Sequence, residues 1–148
     1  LIVDAADRDQ CYRWALNIHQ PIDNWSTGRA TLLGDAAHPT LPYLAQGAVM
    51  AVEDGGVLTR ALGAAPSVPE ALRLYQHNRL ERTARIVRES HRNRALFHLP
   101  TIEELKAAFA ERDMDGERSN WLYSYNPMTV ALEPPPASGS AGARSAAG

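Results

Sequence analysis

With 148 residues, 45% hydrophobic and 22% charged, the chain has the composition of one soluble globular domain, which excludes a wholly disordered protein. The net charge of −2 gives no global bias toward a polyanion, and the densest apolar stretch, 45–62, is broken by Glu53, Asp54 and Arg60, so no membrane span is expected. A single cysteine, Cys11, excludes an intrachain disulfide and fits a reducing cytoplasm, and the five histidines show no metal-ligand spacing with it.

In chain order, the start at Leu1, without Met or a signal-like series, reads as a cut through a longer protein. Cys11–Ile18 alternates apolar and polar residues in part and is expected to be a strand. Pro21, Asp23, Asn24, Ser26 and Gly28 make a turn-rich connection. The short apolar run Ala30–Leu33, closing on Gly34-Asp35, reads as a buried strand with a loop at its carboxyl end. Residues 35–46 hold Pro39 and Pro42 and no helical period, so an ordered loop is expected there. A helix should follow over 46–62, its first turns apolar on every face and therefore placed in a core, with Gly63 ending it.

Ser67-Val68-Pro69-Glu70 is a capping box, and the helix it opens should carry an apolar stripe of Leu72, Tyr75, Ile86 and Phe97, widened by Leu80 and Val87. Thr101-Ile102-Glu103-Glu104 opens a shorter helix with Ile102, Leu105 and Phe109 on its apolar side, ending near Gly116. From Glu133 onward, three prolines and a Gly, Ser and Ala tail offer nothing to bury, so 133–148 is expected to be a disordered tail after an ordered unit of 1–132.

The chemistry concentrates in 28–54. An Asp at the end of a buried strand can accept hydrogen bonds from ligand hydroxyls; Gly47 lets a flat ligand approach the backbone; and the free N–H groups of Gly47 and Ala48 turn the positive end of a helix toward it. Gly34-Asp35-Ala36-Ala37-His38-Pro39, with Pro42, Gln46-Gly47 and Glu53-Asp54 at their spacing, resembles the second FAD fingerprint of single-component flavoprotein aromatic hydroxylases, the 3-hydroxybenzoate 6-hydroxylase and salicylate hydroxylase group above all. Asp23–Arg29, Pro42–Gly47 and Asn120–Tyr123 are similar to the same group, so the resemblance covers roughly residues 11–125.

The resemblance implies an α/β fold: the C-terminal part of an FAD-binding aromatic-hydroxylase fold, with strands near the start followed by mostly helices. It also implies that Gly34 and Asp35 bind FAD, Asp35 through the ribityl hydroxyls, that Gly47 and Ala48 meet the pyrimidine edge of the isoalloxazine, that Pro42 lies beside the flavin, and that Tyr43 and Gln46 face the substrate. NADH or NADPH would be the reductant, and O2 and a phenolic or benzoate-type ring the other substrates. Two features depart from the family. Gly55-Gly56 stand where Ala is more frequent, at roughly 1 kcal/mol each in a helix interior. No Gly-x-Gly-x-x-Gly follows a strand, so the N-terminal dinucleotide-binding half is absent and the chain alone is not expected to hold FAD.

Simpler readings compete at single residues. Asp35 taken alone could be a turn carboxylate, Tyr43 a packed aromatic, Gln46 a polar cap, and His38 a residue that bonds the backbone. Adjacent Glu53 and Asp54 point about 100° apart on a helix and read as structural contacts. Asp113–Gly116 lacks the ligands of a calcium loop. From Glu70 to Phe97 seven arginines face three acidic residues, which raises an alternative: a non-catalytic module binding nucleic acid or an acidic partner through helix 70–97. The interleaved Glu70, Glu81 and Glu89 argue against nucleic acid. Oligomeric state is not legible.

Overall fold

In the computed structural model, which describes residues 6–110 and 117–136, a small antiparallel hairpin and two 3₁₀ turns lead into a helical body. The hairpin pairs β1 (Ser26–Thr27) with β2 (Ala30–Thr31), Ser26 opposite Thr31 and Thr27 opposite Ala30. Gly28, at φ +54°, supplies the left-handed backbone of its turn. Helices α1 (Gly47–Ala64), α2 (Val68–Phe97), α3 (Ile102–Ala110) and α4 (Glu117–Tyr123) follow.

The cap of α2 forms as its sequence requires. Ser67 Oγ accepts from the Glu70 N–H at 3.4 Å and donates to Glu70 Oε2 at 2.6 Å. Helix α1 ends two residues later than expected and Gly63 lies inside it. The stop is Ala65, whose extended backbone (φ −88°, ψ 148°) is what a residue before a proline, here Pro66, prefers.

The core lies between α1 and α2 and is closed by the C-terminal segment. One cluster joins Trp25, Ala37, Val57, Ala61 and Tyr75, with Tyr125 and Leu132 packed on it; a second joins Met50, Ile86 and Leu122. The hairpin hangs on α2: Gln76 Oε1 accepts from the N–H groups of Trp25 (2.9 Å) and Ser26 (2.8 Å), and the Tyr75 hydroxyl donates to the Leu32 carbonyl at 3.3 Å. Gly56 lets the chain after α4 lie directly on α1, since a Cβ there would sit 3.1 Å from Pro127 and 3.3 Å from Met128 Sδ. Nothing within 4 Å explains Gly55.

Several expectations are corrected. Cys11–Ile18 is not a strand: no neighbouring strand among the described residues can complete its hydrogen bonds, and Tyr12 and Trp14 stand in solvent. Ala30–Leu33 is a strand only as far as Thr31, and Leu32 and Leu33 are exposed. The apolar start of α1 is buried only at Met50, while Val49 and Val52 face outward. In α2, Leu72, Tyr75, Ile86 and Val87 are buried, but Phe97 is exposed and Arg79 sits fully buried in their midst. Thr101 caps α3 as expected, at 3.2 Å from the Glu104 N–H, yet Ile102 and Phe109 remain exposed. Its expected end near Gly116 and the Asp113–Gly116 segment lie outside the described residues. The chain is still held at Glu133, which exchanges two 2.8 Å hydrogen bonds with the Asn78 side chain; the tail beyond residue 136 lies outside the described residues. No helix among the described residues is long and apolar enough to cross a membrane.

Candidate cofactor site

Gly34 opens the site. Its φ of +59° and the 3.2 Å that would separate its Cβ from that of Ala51 leave room for glycine alone. A 3₁₀ turn, Gly34–Ala36, follows, closed by the N–H groups of Ala37 and His38 on the Gly34 carbonyl at 2.9 and 3.0 Å. This turn, rather than a strand end, presents Asp35. Asp35 is exposed, and its carboxylate makes no hydrogen bond with a described residue.

A buried charge network fixes that turn from below. Asp54, fully buried, takes the Gly34 N–H at 3.0 Å and His38 Nε2 at 2.7 Å on Oδ2, and Arg79 Nε at 2.7 Å on Oδ1. Arg79 NH2 also pairs with Glu53 Oε2 at 2.8 Å, and Arg82 grips Glu53 through two bonds of 2.8 and 2.6 Å. Arg82 continues to the carbonyls of Trp121 and Leu122 and lies 3.9 Å from the centre of the Tyr125 ring. Burial alone would raise the Asp54 pKa, but the His38 hydrogen bond, the Arg79 charge and the Gly34 N–H outweigh it and hold the carboxyl below its ordinary value. Burial and the Asp54 charge push the Tyr75 phenol up, so it stays a neutral donor.

The loop that follows makes a second 3₁₀ turn, Pro42–Leu44, and reaches α1 through Ala45. Pro42 is exposed on this turn, and Tyr43 is half-buried, its ring stacked on Phe97 at 5.8 Å. Gln46, 5% exposed, precedes α1 without capping it, and its Oε1 is buried with no partner. The first bond of the helix is Met50 N–H to the Gln46 carbonyl at 2.8 Å, which leaves the N–H groups of Gly47, Ala48 and Val49 without a described acceptor. A Cβ on Gly47 would stand 3.9 Å from Asp35 Oδ1, so the free carboxylate and the open helix end share one mouth.

The structure thus brings Gly34, Asp35, Gly47 and Ala48 together, and sets Pro42, Tyr43 and Gln46 on the loop between them. Sequence reasoning missed Arg79, although its place four residues after Tyr75 in the apolar stripe marks it as inward-facing. It also missed Ser90 and Asn93, buried on the same face further along α2. Glu53 and Asp54 are structural contacts as read, and His38 bonds Asp54 rather than the backbone. The donor set at the mouth suits a ligand that offers hydroxyls to a carboxylate and an electron-rich edge to a helix N-terminus.

Residues 6–90 match the family model described as FAD binding domain. The chain is 46% identical over 121 residues to 3-hydroxybenzoate 6-hydroxylase of Polaromonas naphthalenivorans, covering 77% of this chain and 30% of that protein. It is 52% identical over 118 residues to 3-amino-4-hydroxybenzoate 2-monooxygenase of Streptomyces cremeus, covering 75% and 29%. The crystal structure of an HpxO variant of Klebsiella pneumoniae complexed with FAD superposes with a TM-score of 0.66 at 29% identity, over 80% of this chain and 31% of that one. The chain therefore spans about 30% of the length of the curated relatives it matches. With the family model covering more than half of its residues and the site built as above, the chain belongs to the FAD-binding domain family, in the fold of the FAD-dependent aromatic hydroxylases.

Proposed function

We propose that the chain forms the ribityl-binding and substrate-facing part of a longer FAD-dependent monooxygenase that hydroxylates a phenolic or benzoate-type ring with NADH or NADPH and O2. The observation that carries this reading is the shared mouth of the unpaired Asp35 carboxylate and the uncapped N-terminus of α1. The residues present fit FAD: Asp35 would accept hydrogen bonds from ribityl hydroxyls, and the N–H groups of Gly47 and Ala48 would donate to the pyrimidine edge of the isoalloxazine. There the helix end, equivalent to roughly half a positive charge, stabilises the negative charge of the reduced ring. Gly34 and Pro42 shape the backbone beside the flavin, and Tyr43 and Gln46 face the aromatic substrate.

When bound, FAD would supply the redox chemistry, hydride acceptance from NAD(P)H and activation of O2, with one oxygen atom going to the ring and the other to water. This chain's residues bind and orient it. A hydroxybenzoate-type substrate is supported by the relatives, whose names specify 3-hydroxybenzoate and 3-amino-4-hydroxybenzoate. The test is product analysis with the FAD-loaded full-length enzyme, NADH or NADPH, and each of these rings. A new ring hydroxyl formed in step with NAD(P)H use is expected; flavin binding with no hydroxylated product from either ring would overturn the assignment of reaction and substrate class.

Five of the seven arginines of helix α2 are engaged within the chain, which weighs against a nucleic-acid module. Arg79 and Arg82 are consumed by Glu53 and Asp54, Arg88 and Arg92 pair with Glu81 and Glu89, and Arg85 lies 3.9 Å from the centre of the Trp121 ring.

A further inference from the structure

We infer that Ser90 and Asn93 of α2 are positioning residues that hold the Leu41–Ala45 loop in a strained shape and thereby set the place of Tyr43 on the substrate side. This rests on the reading of Tyr43 given above. Ser90 is fully buried, and its Oγ donates to the Leu41 carbonyl at 2.6 Å. One turn on, buried Asn93 donates from Nδ2 to the Tyr43 carbonyl at 3.1 Å. Phe97, one turn further, stacks on the Tyr43 ring at 5.8 Å and 26°, and His98 meets that ring edge-on at 6.1 Å. The spacing of 90, 93 and 97 puts all three on one face of α2, which turns the end of this helix into a rack for the loop.

The loop needs such a rack. Ala45 stands at φ 53°, ψ 33°, the left-handed conformation that a residue with a Cβ rarely adopts, and its N–H closes the turn on the Pro42 carbonyl at 3.1 Å. Left-handed backbone at a non-glycine residue persists where surrounding contacts over-determine it. The two side-chain donors of α2 are those contacts, and they act on backbone carbonyls at both ends of the Pro42-Tyr43 pair. They are distinct from the Asp54 network, which holds the Gly34–Ala36 turn. The molecule thus has two separate supports, one under the turn of Asp35 and one under the loop that carries Pro42 and Tyr43.

Hydrogen exchange on the full-length flavoenzyme, together with its kinetics, tests this. In the Ser90→Ala/Asn93→Ala double variant the Ala45 amide should exchange about tenfold faster, while the Ala37 and His38 amides that close the Gly34 turn stay as protected as before. Adding Ala45→Gly, which removes the cost of positive φ, should return most of the lost protection. With 3-hydroxybenzoate or 3-amino-4-hydroxybenzoate as probe, KM should rise about fivefold, with a smaller loss of FAD affinity through Pro42. Unchanged exchange at Ala45, or equal loosening at Ala37 and His38, overturns the inference. Asp35→Ala measured alongside separates the two claims: if it leaves FAD affinity intact, the cofactor reading falls, while the exchange comparison still judges the rack.

Discussion

Asp54 Oδ2 accepts the backbone N–H of Gly34 at 3.0 Å, twenty residues back along the chain, and Asp35 is the next residue after that N–H. The exposed carboxylate is therefore aimed by a buried one. The same Asp54 neutralises Arg79, which has no solvent contact, so its loss both frees the turn and leaves that buried cation only Glu53, which it shares with Arg82. Asp54→Ala should cost about 3–5 kcal/mol of unfolding free energy. Arg88→Ala, which breaks a solvent-exposed pair with Glu81, should cost no more than about 1 kcal/mol. Urea titration of the two variants checks the contrast; equal costs would mean that the network is not structural.

The lowered pKa of Asp54 has a consequence for acid stability. Its folded value lies below that of the unfolded chain, about 3.9, so the native state favours the ionised form. That stabilisation is complete above the unfolded value and is lost as the pH falls through the folded one. Unfolding free energy should therefore drop as the pH is taken below about 4, and drop less steeply in Asp54→Asn. Parallel pH curves for the two proteins would contradict the assignment.

Glycine substitutions separate conformational need from contact. Gly34→Ala meets both a positive φ and Ala51 Cβ at 3.2 Å, whereas Gly28→Ala meets only the positive φ, with open space around it. Gly28→Ala should cost about 1–2 kcal/mol, and Gly34→Ala clearly more, together with weaker FAD binding. Thermal melts in the presence and absence of FAD read both quantities.

The adjacent glycines of α1 should respond oppositely. A methyl at Gly55 meets nothing within 4 Å, so Gly55→Ala should gain roughly 0.5–1 kcal/mol from helix propensity. At Gly56 the methyl would press on Pro127 and Met128, and Arg60 donates to the Pro127 carbonyl at 2.8 Å, which keeps that segment from moving away. Gly56→Ala should destabilise. A comparison of denaturation midpoints decides; a gain at both positions would show that the C-terminal segment yields easily.

How far the sequence could be read depends on how local each signal is. The Ser67 cap, the loop of Pro39 and Pro42, and the open helix start at Gly47 are encoded within a few residues, and all are found where expected. The strand expected at Cys11–Ile18 has no pairing partner among the described residues, and the one expected at Ala30–Leu33 pairs only through Ala30–Thr31 with Ser26–Thr27; local patterning could reveal neither. The burial of Arg79, Ser90 and Asn93 was hidden for a different reason. Polar residues on an amphipathic helix are assigned to solvent by default, and only the three-dimensional position of Asp54, Leu41 and Tyr43 shows what each one satisfies. The candidate site could be proposed from the sequence because its parts, Gly34-Asp35 and Gly47-Ala48, lie at the two ends of one short loop.

The Asp35 carboxylate makes no hydrogen bond or ion pair with a described residue, so its substitution separates ligand binding from folding. FAD titration of the full-length enzyme, unsubstituted and Asp35→Ala, followed by flavin fluorescence, is the most direct test of the central claim. Loss of the carboxylate's hydrogen bonds to ribityl hydroxyls should weaken FAD binding about 10- to 100-fold, with the melting temperature of the FAD-free protein unchanged. Equal FAD affinity in the two proteins would contradict the placement of the cofactor at this mouth.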